Sequence, residues 1–236
     1  MITKAVILAA GRGTRMRELT NEVPKPMVEV QGKPILQHIL EGLASAGVEQ
    51  TLIVVGYRKE AIQDYFGDGQ RVGLRIEYVE QMTQDGTGRV VALGKQYCAD
   101  QPFLLLYGDI LVDPIVYQKL RDLGDAEMLI AVKYLQDVSK GGAVYLDENF
   151  HLIDLREKQD AAGVGTHWYN AGLYAFRPSI FPFIDKLEKS PRGEYELTDT
   201  IRAMARAGLK IKAVEIKGSW ADVRDPEILQ ALNQRS

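Results

Sequence analysis

The sequence predicts an α/β fold, doubly wound around a mostly parallel, Rossmann-like mixed sheet, with a small antiparallel portion added to it. Two observations in the first half predict this. The runs "KAVILAA", "TLIVVG" and "FLLLYGD" are short and almost wholly apolar, as strands buried on both faces must be. Segments of helical periodicity stand between them, joined by short connections, which is the pattern of a parallel sheet covered by helices. A third observation marks the second half. Its strand-like runs follow one another with turn signals and no long helix between them, which argues for antiparallel pairing.

The first strand, in "KAVILAA", runs into the loop Gly11-Arg12-Gly13-Thr14-Arg15. Ile35, Leu36, Ile39, Leu40 and Leu43 then recur at helical spacing, and Gly47 stops that helix. "TLIVVG" is the next buried strand, and "KEAIQDYFG" a short helix with Ala61, Ile62, Tyr65 and Phe66 on its apolar side. "LRIEYVE" alternates as a strand, "TGRVVALGKQYC" reads as one helix, and "FLLLYGD" as a strand ending at Asp109. "AEMLIAVKY", "GGAVYLDE", "HLIDLREK" and "HWYNAGLYAF" are the strands of the second half. A short helix is expected over 184–189 and a longer one over 196–207. "KIKAVEI" reads as a strand, and "DPEILQALNQ" as a helix begun by Asp225-Pro226. No linker, repeat or low-complexity tract interrupts the chain, so residues 1–236 are expected to form a single domain.

Composition narrows the function classes. The 236 residues are 46% hydrophobic and 26% charged, with a net charge of -3, so no overall basic field recruits nucleic acid. An anionic ligand must therefore be held by local cations and backbone N–H groups. The single cysteine, Cys98, excludes an internal disulfide and any cysteine-rich zinc site, and its apolar helical surroundings make it a small buried side chain. No run approaches the ~20 apolar residues of a membrane helix, and "AVILAA" is too short for a signal-peptide core. A cytoplasmic location without membrane association is expected. The three histidines, His38, His151 and His167, are scattered and read as structural or surface residues.

The glycine loop has three common meanings. The dinucleotide fingerprint G-x-G-x-x-G fails here because Met16 stands at its third glycine, and "NEVPKP" cannot begin the helix that should follow. The P-loop G-x-x-x-x-G-K-[ST] fails because Gly32-Lys33 and Gly94-Lys95 are followed by Pro34 and Gln96. A turn that glycine merely permits is the remaining default. Arg15 and Lys25 argue against it. Pro24 and Pro26 flank Lys25, and each restricts the backbone, so the lysine is expected in an extended conformation at low entropic cost.

The stretch "LAAGRGTRMRELTNEVPKPMVEVQGKP" closely resembles the signature of the sugar-1-phosphate nucleotidylyltransferases. The resemblance continues through "LLLYGDI", "REK", "NAGLYAF", "SPRGEYELTD" and "GSWADVRDPEIL", and so covers essentially the whole chain. It implies a reaction of a nucleoside triphosphate with a sugar 1-phosphate that releases pyrophosphate. It also implies that the antiparallel portion binds the sugar. No nucleic acid or membrane partner is implied. Homo-oligomers are common in the family, but no face of the sequence identifies an interface.

By the same resemblance, Arg15, Lys25 and Asp109 are the catalytic residues, and Asp109 and Asp222 hold Mg²⁺. Ala10, Gly11, Gly13, Thr14, Gln81, Gly86 and Thr87 would bind the nucleotide. Gly142, Glu157, Lys158, Asn170 and Glu194 would bind the sugar and its phosphate. These residue types suit the chemistry. Glycine lets backbone N–H groups come close to phosphate, arginine offers a planar fork, and lysine a point charge. Mg²⁺ takes one or two carboxylates beside ligand phosphates and water. Asp109 stands at the carboxyl edge of its strand, where α/β sheets bind ligands.

Three departures from the family pattern stand out: Glu18 for a proline, Arg224 for a glycine, and "DGTGRVVAL" in the base-reading region. The base is therefore open among guanine, uracil and thymine. Two other readings fit parts of the sequence. A cytidylyltransferase acting on an alditol phosphate or phosphocholine shares the loop. A non-catalytic nucleotide-sugar sensor would have no reason to keep Arg15, Lys25, Asp109 and Asp222 together.

Overall fold

The computed structural model describes residues 1–139, 141–157 and 165–234. The chain divides into two compact units that alternate along the sequence. A glycine-loop unit comprises Thr3–Gln84, Leu105–Gln118 and Gly218–Ser236, and a β-rich unit comprises Met1–Ile2, Asp85–Leu104 and Lys119–Lys217.

The glycine-loop unit begins with β1 (Lys4–Leu8), whose Ala5, Val6 and Ile7 are fully buried. The loop then takes two 3-10 turns, Thr14–Thr20 and Lys25–Met27. The short strands β2 (Glu29–Val30) and β3 (Lys33–Pro34) pair antiparallel around Gln31-Gly32, both at positive φ, as a two-residue hairpin turn requires. Helix α1 (Ile35–Ser45) buries Ile35, Leu36, Ile39, Leu40 and Leu43, and the chain turns away at Gly47, φ +87°. β4 (Gln50–Val55) lies parallel to β1, from Lys4↔Gln50 to Leu8↔Val54. Helix α2 (Lys59–Phe66) follows, and then β5 (Arg75–Glu80), parallel to β4. These βαβ crossovers are the parallel half that the apolar runs predict.

The β-rich unit opens with α3 (Thr87–Ala92) and α4 (Lys95–Cys98). One helix was expected over this stretch. It breaks at Leu93-Gly94, where glycine is a poor helix former. Strand β6 (Phe103–Tyr107) runs from this unit into the other, where it lies beside β1 in the order β6-β1-β4-β5. β7 (Ile110–Val112) and α5 (Ile115–Leu120) come next, neither marked in the sequence.

The rest of the β-rich unit is built on β8 (Met128–Tyr134), β9 (Gly142–Leu146), β10 (Leu152–Glu157) and β11 (Trp168–Phe176). β11 pairs antiparallel with both β8 and β9, and β9 with β10. Helix α6 spans Phe181–Ile184, so the helix expected over 184–189 ends where it should begin. Pro182 fits a first helical turn, and Phe181 stacks on Phe103 with ring centroids 5.7 Å apart, which fixes the earlier start. Helix α7 (Leu197–Arg206) leads to β12 (Ile211–Glu215), which lies parallel to β8. The chain then returns to the glycine-loop unit as β13 (Trp220–Asp222), antiparallel to β7, and ends in α8 (Pro226–Asn233). Among the described residues no helix is long and apolar enough to cross a membrane.

Candidate active site

Lys25 is not extended. Met27 and Val28 donate their N–H groups to the carbonyls of Pro24 and Lys25, at 2.8 and 3.1 Å, which closes a 3-10 turn over Lys25–Met27. Pro26 fits the start of such a turn and needs no N–H donor there, so the restriction it places on Lys25 is overridden. The turn lays the lysine stem over Gly13. A Cβ at Gly13 would lie 2.7 Å from Lys25 Cβ, and Gly13 also sits at φ +71°. Gly13 thus needs to be glycine twice over, for its backbone and for the side chain above it. At Gly11 a Cβ would meet nothing within 4 Å, so this is the glycine with open space before it.

The Lys25 ammonium ends in an ion pair with Asp109. Only 12% of the lysine side chain is exposed and 28% of the aspartate's, so the pair is shielded from bulk water. Asp109 lies in the turn between β6 and β7 rather than at the end of β6. Gly108 allows that turn to hug β1, because a Cβ there would lie 3.0 Å from the Leu8 carbonyl oxygen.

Asp222 stands beside this pair. In the β7–β13 ladder it is the partner of Ile110, and the Val223 N–H donates to the Asp109 carbonyl at 3.0 Å. Burial pushes the Asp222 carboxyl up to about 6, and the Asp109 carboxylate adds to that rise. Lys25, Arg224 and Arg15 pull it partly back, and Arg224 reaches Asp222 at 3.7 Å. Two carboxylates and three cations therefore converge past the carboxyl ends of β1 and β6. Burial and the neighbouring carboxylate still disfavour ionised Asp222, and a further cation beside it would favour that form. No group of three or more acidic, histidine or cysteine ligands exists among the described residues. A metal held by Asp109 and Asp222 would complete its shell with water and ligand oxygens, the donor set of a hard cation.

The other nucleotide-site candidates of this unit lie around the loop. The Ala10 carbonyl accepts from the Tyr57 N–H at 3.2 Å and from Gln84 Nε2 at 3.3 Å. Thr14 and Arg15 are exposed in the first 3-10 turn, and half-buried Gln81, just past β5, donates through Nε2 to the Thr83 carbonyl at 2.9 Å. Sequence reasoning gave no role to Tyr57, Gln84 or the Arg224 ion pair. Gly56 was the available signal for the first, since a Cβ there would lie 2.8 Å from the Ala10 oxygen. A cavity of about 440 Å³ in the same unit is lined by His38, Glu41, Tyr117, Trp220 and others, and none of the predicted site residues lines it.

In the β-rich unit, Gly142 and Glu157 are cross-strand partners, and a Cβ at Gly142 would lie 3.0 Å from Asn170 Cβ. These three sugar-site candidates therefore sit on adjacent strands. Asn170 Nδ2 donates to the Tyr174 hydroxyl at 2.8 Å. Glu194 is exposed, its carbonyl accepting from the Ser190 N–H. Lys158 lies outside the described residues. Gly86 and Thr87 have local partners. A Cβ at Gly86 would lie 2.4 Å from the Tyr195 oxygen, and the Thr87 hydroxyl accepts from the Leu197 N–H at 3.4 Å, at the start of α7.

Comparison with known proteins gives one family. The model of the nucleotidyl transferase family matches residues 4–235. The chain is 39% identical to the bifunctional protein GlmU of Methanocaldococcus jannaschii over 96% of its own length and 53% of that protein's. It thus spans about half the length of the first curated relatives it matches. It is 34% identical to the UTP–glucose-1-phosphate uridylyltransferase AglF of Haloferax volcanii, over 98% of its own length and 96% of that protein's. The fold also matches a crystal structure of UDP-glucose pyrophosphorylase complexed with UDP-glucose. The TM-score is 0.89 at 26% identity, covering 99% of this chain and 97% of the other. A glycine loop, a lysine paired to an aspartate, and a match from the first strand to the last helix make the same assignment: the chain belongs to the nucleotidyl transferase family.

Proposed function

We propose that the chain joins a nucleoside triphosphate to a sugar 1-phosphate, releasing pyrophosphate, with Mg²⁺ as the metal. The observation that carries this reading is the convergence of Lys25, whose stem lies over Gly13, with Asp109 and Asp222. The reaction brings two polyanions together, so positive charge and fixed geometry are what it needs most.

An oxygen of the sugar phosphate attacks the α-phosphorus, forming a new P–O bond. The bond from the α-phosphorus to its bridging oxygen breaks and leaves its electron pair on pyrophosphate. A phosphate monoester has its second pKa near ~6, so the nucleophile is already anionic at neutral pH and no general base is required. This agrees with the histidines, which hydrogen-bond locally: His38 to the Val30 carbonyl, His167 to the Leu135 carbonyl, and His151 to Asp147.

Backbone N–H groups beside Gly11 receive the triphosphate. Lys25 exchanges Asp109 for an α-phosphate oxygen, and its packing over Gly13 holds it to that one place. Arg15 offers its fork to the departing pyrophosphate. Asp109 and Asp222 would hold Mg²⁺, which would supply further positive charge against the phosphate oxygens. Gly142, Glu157, Lys158 and Asn170 take the sugar phosphate, with Glu157 accepting from hydroxyls.

UTP with glucose 1-phosphate is the first pair to test, because the Haloferax relative is named for it. The experiment is a pyrophosphate-release screen of five nucleoside triphosphates against a panel of sugar 1-phosphates. Release that needs both substrates and stops on chelation of the metal supports the proposal. Silence across the panel contradicts it.

A further inference from the structure

Two Asp-Pro pairs precede helices in the glycine-loop unit, and they do different things. Asp225, before Pro226, caps α8 in the usual way, its Oδ1 accepting from the Ile228 N–H at 3.1 Å. Asp113, before Pro114, sends its carboxylate across to the other strand. Its Oδ2 accepts the Ser219 N–H at 2.8 Å and its Oδ1 the Ser219 O–H at 2.5 Å. Both donors of one residue are thereby held by both oxygens of another.

The position of this clasp gives it a task. Asp113 immediately follows β7, and Ser219 immediately precedes β13. The ladder between them is only three pairs long, Trp220↔Val112, Ala221↔Leu111 and Asp222↔Ile110. Asp109 and Asp222 stand at one end of the ladder and the clasp closes the other. A three-pair ladder has little to fix its own register, and a slip of one residue would turn Asp222 to the opposite face. Gly218 completes the device. A Cβ there would lie 1.9 Å from Asp113 Oδ2, so the carboxylate occupies the space that any other side chain at 218 would need.

We propose that Asp113 is a positioning residue: by clasping Ser219 across the far end of the β7–β13 ladder it sets the register that holds Asp222 beside Asp109. The proposal rests on the reading of Asp109 and Asp222 as metal ligands. It is distinct from that reading, because Asp113 itself touches no reacting group.

The test is Mn²⁺ binding to the full-length protein without nucleotide, measured by electron paramagnetic resonance. The variants are Asp113→Ala, Asp113→Asn, Gly218→Ala, Asp222→Ala, and the double variant Asp113→Ala with Asp222→Ala. Outer partners of metal ligands typically contribute 10–100-fold in affinity, and a clasp acting through the backbone should stand at the lower end, about tenfold. Asp113→Ala and Gly218→Ala should each weaken Mn²⁺ binding by about that factor. Asp113→Asn, which keeps one acceptor, should recover part of it. In steady-state assays the Mg²⁺ concentration for half-maximal rate should rise in the same variants while kcat at saturating Mg²⁺ stays near wild type.

On the Asp222→Ala background, Asp113→Ala should add nothing. Wild-type Mn²⁺ affinity in Asp113→Ala, with binding lost in Asp222→Ala, would overturn the clasp and leave the metal reading standing. Wild-type affinity in Asp222→Ala would overturn both. An Asp113→Ala variant that fails to fold leaves Gly218→Ala to decide. The atom in its way is the end of a flexible side chain, so the fold can accommodate the methyl group, and unchanged Mn²⁺ binding there would overturn the clasp.

Discussion

Lys25 joins two features that are separate in the sequence. Its stem covers Gly13 and its ammonium neutralises Asp109, so one side chain links the glycine loop to the acidic pair. Replacing Lys25 with Ala should lower turnover by about 10²–10³-fold, the usual cost of one lost transition-state stabiliser. Steady-state kinetics at saturating substrates check this, and an unchanged rate would remove Lys25 from the chemistry. Asp222 gives a pH prediction. Its carboxyl sits at about 6 in the folded protein against 3.8 in a free chain, so folding disfavours its ionised form. Below pH ~4 both states hold the proton and there is no penalty. As pH rises from ~4 to ~6 the unfolded chain releases its proton first, and stability falls. Above ~6 the penalty levels off, at no more than about 3 kcal/mol. In metal-free buffer, Asp222→Asn should therefore melt several degrees above wild type at pH 8, with the gap closing at pH 4. A gap independent of pH, measured by calorimetry, would contradict the placement of Asp222 in a buried acidic pair.

The elements differ in how openly the sequence declares them. β1, β4 and β6 each carry a run of four apolar residues buried on both faces, and a strand of that kind is visible without its neighbours. Helix α1 shows its buried face at i, i+3 and i+4. The three-residue β7 and its partner β13 have no such pattern, because they are strands only by virtue of each other. Helix α8 was legible from Asp225-Pro226, and its cap can be tested. Asp225→Ala should cost about 1 kcal/mol, lowering Tm by roughly 2–4 °C. An unchanged Tm in a thermal scan would mean that the cap carries no weight. The identical dipeptide Asp113-Pro114 shows the limit of such signals. Only the tertiary structure shows that its carboxylate goes to Ser219.

Across the whole molecule, the division into two units left no mark in composition. Two of its five boundaries fall inside elements, between Leu104 and Leu105 of β6 and between Gln118 and Lys119 of α5, where no linker could announce them. The candidate site was legible residue by residue through a long motif, yet its central relation was not. Asp109 and Asp222 meet because the last strand of the chain returns to pair with β7, and no spacing rule connects them. The motif also could not tell that Gly13 is filled by Lys25 while Gly11 is open. The account stands or falls on these two carboxylates acting together. The direct measurement is pyrophosphate release as a function of Mg²⁺ concentration for wild type, Asp109→Ala and Asp222→Ala, each confirmed folded. Both variants should lose about 10²-fold or more in rate and respond only weakly to Mg²⁺. If both kept the wild-type rate and the wild-type response to Mg²⁺, the site would lie elsewhere.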